Sequence, residues 1–486
     1  LTGRYSTDNN GTADAIVNLA FENVRKIYRE RFGVIVQQGA FGDMLVCITE
    51  FAKNQRFQKV SLQAIETLKA TVPNMVSCPE TMLSPNPDEL SDVPITEKAA
   101  PIAPTTKISR IDLHVKYWFP VLFAFHDILM TGEDLEARTR ALGYLFDTLV
   151  TYGGEFPTEF WDMVCRELLF PIFMVLKTRS EFGHFRNDEA QTMWLSTTMI
   201  QALRNLIALF THYFDLLERM LDGFLDLLVT CICQENDTIA RIGSSCLQQL
   251  ILQSVKKLRP EHWSKIVTSF VQLFESTTAD QLFSAATSGS KGPASESQRK
   301  PYDADESGDG ENSLQINGLA PPILDTDEPD EISKERSPDE KRQTVTNIDL
   351  EDYKPASQLQ QQPVVTAARR RFFNKIITKC VLQLLMIETV SELFSNDSVY
   401  NEIPSKELLR LMGLLKKSFS FARKFNADKE LRMRLWREGF MKQPPNLLKQ
   451  ESGSAATYIS ILFRMYHDDK VERRQSRDAV EAALVP

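Results

Sequence analysis

The stretch RPEHWSKIVTSFVQLF, residues 259–274, has a near-twin in FPTEFWDMVCRELLFPI, residues 156–172. Aligned without a gap, Trp161, Val164, Cys165, Leu168, Leu169 and Ile172 answer Trp263, Ile266, Val267, Phe270, Val271 and Phe274, 102 residues further on. Apolar residues at i, i+3, i+4 and i+7 gather into one stripe of a 3.6-residue helix, so each stretch predicts an amphipathic α-helix. Pro260-Glu261 and Pro157-Thr158-Glu159 mark the starts: proline is tolerated in a first turn, and free N–H groups there favour an acid.

A second amphipathic stretch precedes each of these helices. EDLEARTRALGYLFDTLVTYG lies before Trp161 and ENDTIARIGSSCLQQLILQSVKKL before Trp263, with Leu142 and Leu247 as counterparts 19 and 16 residues ahead of their tryptophans. A third version, KNQRFQKVSLQAIETLKATV, occupies residues 53–72, where the partner helix gives way to a proline-rich break. The repeated unit therefore reads as a helix pair. One pair has an apolar face it cannot cover alone, and stacking pairs buries that face in a continuous core. The predicted fold is all-α, a HEAT/armadillo-like α-solenoid of stacked helix pairs. A spacing of 80 to 105 residues exceeds one unit, so two pairs, or a pair plus long helices such as 189–217, make up each step.

Composition agrees. The 486 residues are 43% hydrophobic and 25% charged, enough for several cores or an extended array. The longest apolar candidate, FPVLFAFHDILM from Phe119, is broken at His126 and Asp127, far short of a membrane span. The net charge of −9 is local: residues 284–365 hold 17 Asp and Glu against 8 Lys and Arg. Rich in Ser, Pro, Gly and acid, this segment lacks the apolar surface to offset chain entropy, so 284–366 is expected to be a disordered acidic linker. Residues 77–110, with six prolines, read as a linker or surface loop. Helical blocks are expected at 1–76, 111–283 and 367–469, with 470–486 as a tail. The chain starts at Leu1 without an initiator methionine and reads as a piece of something longer.

Catalytic signatures are missing from the sequence: no GxxxxGK[ST], HExxH, GxSxG or paired CxxC occurs. The seven cysteines fit a reduced chain. Cys231, Cys233 and Cys246 read as packing residues, because no histidine stands at ligand spacing. The six histidines are solitary, and His212 and His262 read as surface or satisfied core residues. No catalytic residue, metal or cofactor is expected. Charge clusters are more informative. RRRFFNKIITK places Arg369, Arg370, Arg371, Lys375 and Lys379 at the entry to a helix. Residues 405–438, which include Lys416, Lys417, Arg423 and Lys424, hold ten Lys and Arg against four Asp and Glu. These nine residues are the candidate surface for anionic lipid or an acidic protein, set against the plainer reading of a solvated helix face. Without stacking aromatics or a nucleic-acid fold signature, nucleic acid is not an expected partner. A third reading lays the acidic linker back on the basic block. Ser337, followed by Pro338, is the candidate phosphosite.

The run FARKFNADKELRMRLWREGFMKQPPNLLKQESGSAATYISILFRMYHDD (421–469) resembles the C-terminal region of the large Golgi Arf guanine-nucleotide exchange factors, the brefeldin-A-inhibited family, above all its fungal members. AFGDMLVCITEFAKN (40–54), WFPVLFAFHDILMTGEDLEARTRALGYLFDTLVTYGGEF (118–156) and ENDTIARIGSSCLQQLIL (235–252) follow the same likeness in order. The resemblance implies downstream helical regions that accompany, but do not include, an Arf exchange domain. It implies a regulatory role in vesicle trafficking: autoinhibition, binding of small GTPases of Arf, Arl or Rab type, contact with the parent's own exchange domain, and recruitment from the cytoplasm to anionic trans-Golgi membrane as a peripheral protein. The competing class is a purely architectural spacer or dimerisation arm, for which a homodimer is the expected partner.

Overall fold

The computed structural model describes residues 10–54, 56–83, 110–174, 189–284 and 366–484. Ser337, most of the 77–110 segment and nearly all of 284–366 lie outside the described residues. The described residues form helices and turns, without a strand.

Helix α1 (Asn10–Glu30) precedes α2 (Phe41–Ala52), α3 (Gln58–Ser77), α4 (Phe119–Thr131) and α5 (Leu135–Tyr152). The next run, α6, starts as Thr158–Val164 and continues through a π-turn, Cys165–Leu169, into a 3₁₀ turn, Phe170–Phe173. Then come α7 (Glu189–His212), α8 (Leu221–Ile232), α9 (Asp237–Ser254) and α10 (Pro260–Thr277). The last three long helices are α11 (Ala367–Ser395), α12 (Ser405–Ala427) and α13 (Leu448–His467).

From α2 onward these helices form two layers. Each even-numbered helix packs on the next even-numbered one, and each odd-numbered helix from α3 on the next odd-numbered one. Five helix hairpins are thus stacked among the described residues, α2/α3, α4/α5, α8/α9, α10/α11 and α12/α13, with α6 and α7 continuing the two layers between the second and the third. This is a HEAT/armadillo-like solenoid, and one apolar cluster runs through it from Phe21 to Val480. Neighbouring hairpins are also tied at their turns. Glu133 N–H donates to the Lys53 carbonyl at 3.1 Å, and Gln58 Nε2 donates to Asp134 Oδ2 at 3.0 Å.

The twin tryptophans occupy like elements. Trp161 and Trp263 each lie in the first turns of an even-numbered helix, and both are fully buried. The 102-residue spacing is two repeats: α4, α5 and α6 are matched by α8, α9 and α10. The hairpin itself is cut differently from the sequence reading. Helix α5 pairs with α4 before it, not with the Trp helix after it, and α9 likewise pairs with α8. The N-caps show the true register. Asp134 accepts from Ala137 N–H and Asn236 from Ile239 N–H, so Leu145, not Leu142, is the counterpart of Leu247. Both leucines are buried either way, which is why the apolar pattern concealed a shift of one turn.

Other boundaries moved for local reasons. Helix α3 begins at Gln58 because the preceding residues form the hairpin turn, and its partner is the earlier α2. The long helix read over 189–217 breaks at Tyr213, whose hydroxyl donates to the Val150 carbonyl. The segment read as a tail carries two short helices, Val471–Gln475 and Arg477–Leu484. They are anchored by Arg473, 2% exposed, which donates to the Tyr400 and Ile403 carbonyls and to Ser405 Oγ.

The second and third helical blocks are continuous. Thr277 Oγ1 donates to Gln383 Oε1 at 2.6 Å. The amides of Gln383 and Gln450 both donate to Ser418 Oγ at 3.1 Å. All four side chains are buried, and the chain of bonds joins α10, α11, α12 and α13. Buried polar groups carry a penalty unless paired, so this network specifies how the last two hairpins meet.

Candidate functional site

Around the N-terminal half of α11 and the C-terminal half of α12 lies a second, smaller core. It contains Ala279, Leu282, Phe373, Ile376, Phe425, Leu431, Leu435 and Phe440. The two helices run antiparallel here: Gln383 bonds Ser418, while Phe373, nearer the start of α11, shares this core with Phe425, nearer the end of α12. The two basic segments read from the sequence are therefore brought around one apolar centre.

The surrounding surface is strongly basic. Residues 366–380 and 416–449 together hold fifteen Lys and Arg against three Asp and Glu. Arg370, Arg371 and Lys375 are exposed along one stripe of α11, and Lys416, Lys417, Arg423 and Lys424 along one stripe of α12. Arg369 is half-buried: it pairs with Glu438 and lies over the Phe373 ring at 5.0 Å, so part of its charge is used in holding the 438–440 turn against α11. Lys424 caps the Phe283 ring at 4.9 Å, and Lys379 is half-buried. Two of the three acids have structural duties, Glu438 in the pair with Arg369 and Asp428 as the N-cap of the helix Lys429–Arg437. The lobe's positive charge is thus largely uncompensated.

Four large apolar side chains stand exposed among these cations: Phe372 (39%), Trp436 (39%), Met441 (46%) and Leu448 (58%). Trp436 Nε1 donates to the Lys442 carbonyl at 3.2 Å, which fixes its ring at the tip of the turn. Phe373 meets Phe440 edge-on at 5.1 Å, which holds that turn against α11. The charges alone do not announce these side chains; the alternation of cation and bulky apolar residue in RMRLWREGFMK is the available signal for Trp436 and Met441.

Of the other candidates, Cys231, Cys246 and His262 fall into the core, whereas His212 is exposed and so is Cys233, at the end of α8, against its reading as a packing residue. Cys231 and Cys246 are buried, and burial raises their thiols to about 12 and about 11. Thiols so far from ionisation are poor nucleophiles and ligands. His262 is buried against the Phe214 ring, and its Nδ1 accepts from Arg259 N–H at 3.2 Å as part of the α10 cap. Among the described residues no group of three or more His, Cys, Asp or Glu is placed to hold a metal ion, and no helix is long and apolar enough to cross a membrane.

Two stacked layers of helix with a charged lobe define a helical-repeat protein. Comparison with known proteins narrows this. Residues 381–486 match the family described as BIG2 C-terminal domain. The chain is 42% identical, over 90% of its length, to the ADP-ribosylation factor guanine nucleotide-exchange factor SEC7 of Saccharomyces cerevisiae. It is 32% identical over its full length to sec72, an exchange factor of the same description in Schizosaccharomyces pombe. It is 27% identical over 94% of its length to the brefeldin A-inhibited guanine nucleotide-exchange protein 1 of Rattus norvegicus. The chain belongs with the C-terminal regions of these large Arf guanine-nucleotide exchange factors. It spans 22%, 23% and 24% of the length of the three relatives. No solved structure matches it.

Proposed function

We propose that this chain is a regulatory and interaction module of an Arf guanine-nucleotide exchange factor, with no exchange activity of its own. Its work is to bind: the parent's exchange domain in autoinhibition, small GTPases of Arf, Arl or Rab type, and the anionic cytoplasmic face of trans-Golgi membrane. The observation that carries the membrane part is the basic lobe of α11 and α12 with Phe372, Trp436 and Met441 exposed among its cations. Cations near an anionic leaflet contribute about 1 kcal/mol each, and interfacial aromatics anchor at headgroup depth. Arg370, Arg371, Lys375, Lys416, Lys417, Arg423 and Lys424 form the charged part of this surface, while Arg369 and Lys379 support it.

Vesicle co-sedimentation tests the reading. Vesicles with about 20% anionic lipid should retain the chain at low salt, and neutral vesicles should not. The Arg370→Glu/Arg371→Glu/Lys375→Glu variant should lose most of that retention, and Trp436→Ala should lose part of it at every salt concentration. Equal retention of the triple variant would refute the membrane role. An exchange assay on Arf with this chain alone should show no stimulation. A pull-down against GTP- and GDP-loaded GTPases of the three types tests partner binding. Self-association in light scattering, with no GTPase retained, would instead support the architectural spacer or dimerisation arm.

A further inference from the structure

At the opposite end of the described stack, α1, α3 and α5 enclose an open groove of about 360 Å³. Its cationic lining is Arg25 and Arg29 from α1, Lys59 from α3 and Arg140 from α5; Glu66 is the carboxylate among its lining residues. That carboxylate is already engaged, accepting from Arg140 at 2.8 Å and from the Tyr144 hydroxyl. Arg25 pairs with Glu22 at 2.8 Å, and Arg140 also pairs with Glu136. Arg29 and Lys59 are exposed and enter no ion pair among the described residues.

A second observation comes from Tyr28. It is 1% exposed and lines the groove. Its hydroxyl oxygen is buried beside Thr71 and Asn74, so the ring and not the O–H faces the groove. The groove's dimensions identify the ligand class. From Lys59 to Asn74 the lining follows α3 for about 22 Å at 1.5 Å per residue. At about 3.3 Å per residue that length takes six or seven residues of extended peptide. A single phosphate or inositol headgroup would fill only one end. Leu62 and Ala70 supply apolar lining, and Gln63 and Asn74 supply amides able to pair with a peptide backbone.

We infer that this groove binds an acidic, extended peptide segment of a protein partner, with Arg29 and Lys59 pairing its carboxylates and the amides of Gln63 and Asn74 pairing its backbone. The site lies on different helices from the basic lobe and stands whether or not that lobe meets a membrane.

Fluorescence anisotropy with a labelled eight-residue peptide, alternating Asp or Glu with Ala and Leu, tests the inference on the whole chain. Saturable binding that weakens with salt is expected, with the Asn/Gln version of the peptide at least tenfold weaker. Arg29→Glu/Lys59→Glu, both at exposed positions, should weaken binding at least tenfold. Lys416→Glu/Lys417→Glu, on the other lobe, should leave it alone. Absence of saturable binding would overturn the inference. So would equal binding of the Asn/Gln peptide, or a Lys59 and Arg29 dependence seen for anionic vesicles or inositol hexakisphosphate and not for the peptide.

Discussion

Trp161 and Trp263 sit at the same point of two matching three-helix runs, α4–α6 and α8–α10, yet only Trp161 donates its indole N–H. Its Nε1 bonds the Gly153 carbonyl at 3.0 Å, whereas Trp263 Nε1 is buried with no partner among the described residues. The residue at the position matching Gly153 is Val255, which is itself buried. A Cβ at Gly153 would come within 2.4 Å of the Trp161 ring, so the glycine is what admits the indole to the backbone. The second run fills that space with a valine side chain and leaves the N–H unmet. The two copies show that a repeat can keep its packing while exchanging a polar contact for an apolar one.

Five substitutions break or sharpen this comparison. Gly153→Val, which writes the second copy's residue into the first, should cause the largest loss, about 3–4 kcal/mol, through overpacking and the broken indole bond. Chemical denaturation measures it, and a loss below about 1 kcal/mol would mean that the tryptophan moves freely. Trp161→Phe should cost about 3 kcal/mol, and Trp263→Phe about 1 kcal/mol less, because the latter also removes an unsatisfied donor. Equal losses would show that the hydrogen bond contributes nothing. Among the caps, Asp134→Ala should cost about 2 kcal/mol and Asn236→Ala about 1, since Asp134 also accepts from Gln58 on the neighbouring hairpin.

The smallest effect concerns pH. His262 occupies the position matched by Phe160, and burial, followed by the nearby Arg259, lowers its pKa from the usual 6.5. Glu218 and Glu261 oppose that shift and Lys265 adds to it, without reversing the direction. The unfolded chain binds a proton more readily, so stability is complete above about pH 6.5 and declines as pH falls toward the depressed folded value. His126, also lowered by burial, adds to the decline with the same sign. His262→Phe should flatten part of this slope in denaturation midpoints taken between about pH 5 and 7.5. An unchanged slope would place the acid sensitivity elsewhere.

The apolar stripes of the Trp helices are legible in the residues themselves because helical periodicity is local: residues three and four apart share a face whatever lies opposite. Ungapped matching has a limit, however. Leu169 is fully buried, whereas its ungapped counterpart Val271 is only partly so, and Phe270 takes the buried place. The π-turn at Cys165–Leu169 adds a residue to one turn of α6 that α10 lacks, and nothing in the apolar spacing announces it. The basic lobe is half visible. Its charges stand in sequence, but the meeting of α11 and α12 around Phe373 and Phe425 depends on residues about fifty apart, and the exposure of Trp436 depends on its bond to Lys442.

From the residues alone came helix, amphipathic face, repetition and the uneven distribution of charge, since each depends on chemistry within a turn or two of chain. The partner of each face required three dimensions: α5 back on α4, α11 on α10 across more than eighty intervening residues, and the joining of Arg25 and Lys59 in one groove. An amphipathic helix specifies that it must be covered, while which neighbour covers it is decided by the competition of all the faces at once.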